Sequence, residues 1–226
     1  VYVSAWLKHH YPDAFACALL NSQPMGFYAP AQIVRDAQKH GVEVKPVDVN
    51  HSDWDATLEP LVERSKSIKP RALRLGMRQV QGLGQEAVKC LTQAVQARGP
   101  FQTIDALWHQ RATSQTTLRR LAEADAFQSM GLTRQRAMWQ VMRLKDEHAP
   151  LFEGMDETPS DQQADEQADS LPAIGALREV TSDYAMTGLS LKYHPVALVR
   201  DWLDGQGVCP CQALADPARW PDGASI

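Results

Sequence analysis

The stretch Val80-Gln81-Gly82-Leu83-Gly84-Gln85-Glu86-Ala87 decides how this chain reads. An apolar residue is followed by Gly-Leu-Gly and then by a helical pattern with a small residue, Ala87, facing back. Two glycines permit a tight hairpin with positive φ and close backbone approach. The next helix opens with N–H groups that its own ladder leaves unmatched, and its dipole favours an anion there. Leu83 is expected to plug the hairpin into the core, and Ala87 to let two helices approach closely. Arg74, Arg78 and Lys89 lie near enough in sequence to flank a phosphate. The expected anion-binding set is therefore Gly82, Leu83, Gly84, Gln85, Arg74, Arg78 and Lys89. The run lacks the third glycine of a dinucleotide fingerprint, and no Gly-Lys-Ser/Thr of a Walker loop follows it. A purely structural turn between packed helices is the competing reading.

A second helix pair echoes the first. Leu118, Leu121 and Ala122 precede Ala124-Asp125-Ala126-Phe127, and a helix follows Gly131. Asp125 stands where a hairpin glycine is expected. Asp tolerates left-handed backbone, but its charge would repel phosphate, so this half is expected to be structural.

Outward from the hairpins, residues 1–24 have helical spacing, broken at Tyr11-Pro12-Asp13, where Pro12 suits the first turn of a new helix. Ala31–His40 reads as a helix stopped by Gly41. Short strands are expected at Val42–Val44, Val47–Val49, Asp55–Leu58 and Ala72–Leu75. Residues 76–147 read as helices over Met77–Gln81, Gln85–Ala97, Thr103–Arg111, Ser114–Glu123 and Arg134–Leu144, with Ser114 and Thr133 as N-caps. Two more helices are expected at Ala176–Met186 and Pro195–Leu203.

Charge is uneven. Val62–Pro100 holds eight Lys or Arg against two Glu, and Glu153–Leu171 holds seven acidic residues and no basic one. The first favours an anionic partner, and the second reads as a solvated linker. The 226 residues, 44% hydrophobic and 22% charged, suit an ordinary globular protein. No run approaches the ~18 apolar residues of a membrane span. The chain starts at Val1 inside a helical pattern and is expected to be cut from a longer protein. Four cysteines are too few for a disulfide scaffold, which points to a reducing cytoplasmic setting. Weaker signals are Asp48, His51, Asp53 and Asp55 as metal ligands, and Cys209-Pro-Cys211, whose gap is too short for usual zinc spacing. No nucleophilic triad is present in the pattern.

Gly82-Leu83-Gly84 between helices resembles the helix-hairpin-helix motif of DNA-binding proteins. Longer stretches resemble bacterial C-family DNA polymerases: Tyr2–Tyr28, Ile33–Val44, Pro46–Trp54, Leu73–Gly84, Leu121–Phe127 and Thr187–Pro195. Asn21-Ser-Gln-Pro-Met-Gly-Phe-Tyr28 is most similar to their error-prone, DnaE-like branch. The resemblance implies a mainly α fold with a small β element. It implies the end of the fingers region at 1–55, and a short β connection with a tandem helix-hairpin-helix domain at 56–147. An acidic disordered linker at 148–172 and a helical segment leading toward an OB-fold at 173–226 would follow. It further implies a parent DNA-directed DNA polymerase for damage-induced translesion synthesis, with two Mg²⁺ on palm aspartates upstream. No catalytic or metal residue is then expected here. Partners implied are duplex or primer–template DNA, the sliding clamp and a Y-family-like protein, with no membrane. The alternative is a protein-interaction module in which Tyr184, Trp202, Trp220 and the acidic linker recruit partners.

Overall fold

The computed structural model describes residues 2–60, 71–110, 113–144 and 174–211. The expected linker at 148–172 and Trp220 lie outside them. Three helices come first: α1 (Tyr2–His10), α2 (Pro12–Asn21) and α3 (Pro30–Lys39). Pro12 and Pro30 each sit in a first turn, where a missing N–H costs nothing. Helix α2 buries Ala16 and Leu20 against Ile33, Val34 and Ala37 of α3, whereas α1 buries no residue. Tyr2, Val3, Trp6 and Leu7 of α1 are exposed.

A three-stranded sheet follows, ordered β1-β3-β2, from β1 (Val44–Lys45), β2 (Thr57–Pro60) and β3 (Arg71–Arg74). Strand β3 runs parallel to β1, with Val44 opposite Leu73, and antiparallel to β2, with Leu58 opposite Leu73. Central β3 buries Ala72 and Leu73, as a strand covered on both sides should. The expected strand at Val47–Val49 does not form. Pro46 has no N–H to give a ladder, and Val49 N–H instead bonds Ala126 O at 2.8 Å. Val47 and Val49 are nevertheless core residues.

Four helices complete the hairpin region: α4 (Gln85–Arg98), α5 (Ile104–His109), α6 (Gln115–Glu123) and α7 (Arg134–Arg143). Thr103, Ser114 and Thr133 cap α5, α6 and α7, each side-chain oxygen accepting the N–H three residues on. Each such cap stabilises its helix by about 1 kcal/mol. Helix α8 (Ala176–Thr187) and two short helices, α9 (Pro195–Leu198) and α10 (Arg200–Gly205), come after the undescribed stretch. The one helix expected at Pro195–Leu203 is thus two.

One hydrophobic cluster runs through these parts, from Ala16 and Leu20 through Leu73, Leu75, Met77, Leu91, Leu107 and Leu121 to Phe127 and Leu189. The fold is mainly α with a small β element, as the sequence implied. Among the described residues no helix is long and apolar enough to cross a membrane. Cys17 belongs to this frame rather than to chemistry. Burial, with Asp13 and Asp55 nearby, pushes its thiol upward, and Sγ–H donates to Ala56 O at 3.2 Å.

Candidate nucleic-acid interface

Strand β3 delivers the chain directly to the first hairpin. Beyond it, Met77 N–H bonds Asp53 O at 2.8 Å and Arg78 N–H bonds Trp54 O at 3.0 Å, zipping the approach to the 53–56 turn. A single 3₁₀ turn, Met77–Gln79, buries Met77 fully, and Val80 is buried beside it. Gln81 N–H donates to Met186 O at 2.8 Å, so the end of α8 braces the hairpin from behind. Gly82 then adopts φ +78°, the left-handed region the sequence assigned to it. Leu83 is half-buried and packs on the core.

Gly84 is the N-cap of α4 and offers no side chain to its orphan donors. Gly82, Gly84, Gln85 and Lys89 are all exposed. The crest of the hairpin and the positive end of α4 therefore face solvent together, with Lys89 one turn along.

Two expected cations are not there. Arg74 is only 8% exposed. Its Nε and Nη2 donate to Glu59 at 2.6 and 3.2 Å, and its Nη1 donates to Pro46 O at 3.0 Å. Arg78 donates from Nη1 to Asn21 O and Asp55 Oδ1, at 2.8 and 2.7 Å, and from Nη2 to Gln23 O at 2.9 Å. It ties the carbonyl end of α2 to the 53–56 turn, a favourable place for a cation. Both guanidiniums are spent on internal acceptors, so nearness in sequence misplaced them as phosphate contacts. Sequence reading missed Arg120, on α6, which lies against Gly82. Its Nε is 3.2 Å from where a Gly82 Cβ would stand. Nothing in the local pattern could join positions 82 and 120, since the contact depends on how α6 packs.

The second hairpin differs. Asp125 holds φ +59°, so the turn forms without glycine. Its carboxylate accepts from Gln128 Nε2 and from Lys192 Nζ, each at 2.9 Å. Burial would lower Lys192, but its bonds to Asp125 and Glu179 outweigh that and raise it above the ordinary lysine value. Helix α7 opens on Arg134, which is buried, paired with Asp183 and bonded to Glu179 O at 3.1 Å. This end of the tandem faces protein.

The weak metal reading dissolves into turn chemistry. Asp48 accepts from Asn50 N–H, Ser129 N–H and the His51 ring, all at 2.9 Å, while Asp55 pairs with Arg78. Of the expected recruiting aromatics, Tyr184 is half-buried and Trp202 is 65% exposed.

The solvent-facing glycine hairpin, which runs from a single 3₁₀ turn into α4, lies within residues 41–137, and these match a family profile described as "Helix-hairpin-helix motif". The whole chain is 45% identical to part of the error-prone DNA polymerase of Sinorhizobium medicae, covering 100% of this chain and 22% of that protein. It is 45% identical to the error-prone DNA polymerase of Caulobacter vibrioides, over 97% of this chain and 21% of that one. Against error-prone DNA polymerase 2 of Agrobacterium fabrum the identity is 46%, over 97% and 20%. The chain thus spans about a fifth of the length of these relatives and fits a fragment of a DnaE-like C-family polymerase.

Proposed function

We propose that this chain is a segment of an error-prone DNA-directed DNA polymerase and that its first hairpin grips the backbone of duplex or primer–template DNA. One observation carries the reading. In a chain similar throughout to error-prone polymerases, Gly82, Gly84 and the uncapped start of α4 lie open to solvent. Backbone N–H groups at Gly84 and Gln85 donate to a phosphate oxygen, the dipole of α4 favours its charge, and Lys89 adds a cation. Such contacts position a duplex without reading its sequence. Few contacts mean weak affinity, which suits an element holding DNA inside a larger enzyme. Nucleotide addition with Mg²⁺ belongs to the parent's palm, which the resemblance places upstream, and no residue here is assigned to it. Damage-induced translesion synthesis in the cytoplasm, with the sliding clamp and a Y-family-like partner, completes the proposal for the parent. The domain division at 55, 147 and 172 is proposed with it.

The test is fluorescence anisotropy of a labelled primer–template duplex across a salt series. One or two neutralised phosphates give a log–log slope of about −1 to −2. Gly82→Val should abolish binding, because a β-branched residue resists φ +78° and its Cβ meets Arg120. Wild-type affinity in a folded Gly82→Val protein would refute the assignment. The exposed Trp202 favours the interaction-module reading, which takes precedence if the wild-type chain binds no duplex at low salt.

A further inference from the structure

We infer that Arg120, reaching across from the second helix pair, is the guanidinium with which the first hairpin grips a phosphate. This rests on the DNA-backbone reading above and adds a residue that neither motif spacing nor similarity assigns.

The first observation is position. Arg120 belongs to α6, yet its side chain lies against Gly82. Its Nε, Cζ and Nη2 stand 3.2, 3.6 and 3.7 Å from the point a Gly82 Cβ would occupy. The missing side chain at Gly82 is what admits the guanidinium to the crest. The second is availability. The Arg120 side chain is 39% exposed. Its one bonded acceptor among the described residues is Glu123 Oε2, 3.3 Å from Nη1. That is longer than the ~2.7–2.9 Å of a firm charge-assisted bond. Glu123 also forms an ion pair with Arg119, Nε to Oε1 at 3.2 Å, so two arginines share one carboxylate and leave net positive charge beside the hairpin. Arg74, Arg78 and Arg134 differ, since each gives two or more bonds to internal acceptors. The third is chemistry. A guanidinium offers a planar fork that can donate two parallel bonds to a phosphate, which an ammonium such as Lys89 cannot. Arg120 can turn this fork toward a phosphate at the crest by giving up only the long bond to Glu123. The tandem then works asymmetrically: the first hairpin supplies backbone donors and the second pair supplies the cation.

The test uses this chain and the same labelled duplex across salt. Arg120→Ala should weaken binding about tenfold, the loss of one charged hydrogen-bonding group. It should also make the log–log salt slope shallower by about 0.9. Arg120→Lys should keep the slope and lose part of the affinity. Arg143→Ala, removing the same charge from an exposed site at the end of α7, should change neither. Circular dichroism and a thermal melt establish that each variant folds, and Arg120→Lys decides the matter if Arg120→Ala does not. Wild-type affinity and slope in folded Arg120→Ala, with Gly82→Val still failing to bind, would overturn this inference and leave the hairpin reading intact. Absence of any duplex binding by the wild-type chain would overturn both.

Discussion

Gly76 and Gly82 are six residues apart and are glycine for different reasons. At Gly82 the backbone is left-handed, and the motif announces it. At Gly76 φ is an ordinary −80°, so no turn signal marks it. There the constraint is close approach. A Cβ would stand 2.4 Å from Asp55 C, 2.5 Å from Trp54 O and 2.6 Å from Ala56 N, all of them backbone atoms that cannot swing aside. The same turn is held by Asn21, whose side chain accepts from Ala56 N–H at 2.8 Å and donates to Ala56 O at 2.9 Å. Gly76→Ala must therefore push the 53–56 turn away from the hairpin's approach. The expected cost is about 3 kcal/mol or more, the upper range for overpacking, read as a fall in the urea midpoint. A wild-type midpoint would show that the turn can yield. Gly82 was legible because φ > 0 has a compositional signature, whereas Gly84 beside it sits at an ordinary φ of −90°. Gly76 was not legible, because what excludes a side chain there is a segment some twenty residues earlier in the chain.

Among elements, the sheet shows what sequence pattern reaches and where it stops. The strands expected at Asp55–Leu58 and Ala72–Leu75 lie within two residues of β2 and β3, yet nothing in the pattern hinted that β1, β2 and β3 each contribute one charge to a single cluster. Glu59 of β2 receives Lys45 of β1 at 2.9 Å and both Nε and Nη2 of Arg74 on β3. Long-range register decides this, since Lys45 and Thr57 both stand opposite Arg74. Helix caps lay at the other extreme, because Thr103, Ser114 and Thr133 act within three residues of themselves. Arg74 was misassigned for the same reason that the cluster was invisible: its partner is fifteen residues away across a strand pair. Burial alone would raise the Glu59 carboxyl, but the bonds and charges of Arg74 and Lys45 outweigh it and hold it at about 2, against 4.5 for a free glutamate. A depressed carboxyl stabilises the fold fully above the unfolded value, and that stabilisation is lost as pH falls from about 4.5 toward 2. Urea midpoints measured down that range should decline, and Glu59→Gln should show a lower midpoint at neutral pH with a flatter acid limb. An unchanged acid limb in Glu59→Gln would assign the decline to other carboxyls.

At the scale of the whole molecule, the segment beyond the acidic run is built into the hairpin region rather than appended to it. Val180 and Leu189 are buried, and Gln81 N–H bonds Met186 O beneath the first hairpin. Arg134 and Asp183 form an ion pair with side chains only 6% and 11% exposed, and Ser190 Oγ donates to the other Asp183 oxygen at 2.7 Å. Lys192 adds a bridge from this segment to Asp125 of the second hairpin. The start of the chain is opposite in character, since α1 leaves Tyr2 at 80% and Val3 at 67% exposure. Stability should therefore depend on the junction across 145–173 and little on α1. A protease site placed within 148–172 tests this directly. After cutting, the two pieces should co-elute in size exclusion and melt in one transition, because buried side chains and charges hold them together. Asp183→Ala leaves the Arg134 guanidinium buried without its carboxylate, at a cost of about 3 kcal/mol or more. The cut Asp183→Ala protein should accordingly fall apart where the cut parent does not, and duplex binding should be lost as the brace at Gln81 leaves the hairpin. Separation of the cut parent would mean instead that the covalent connection, not the packed junction, keeps α8 beneath the hairpin.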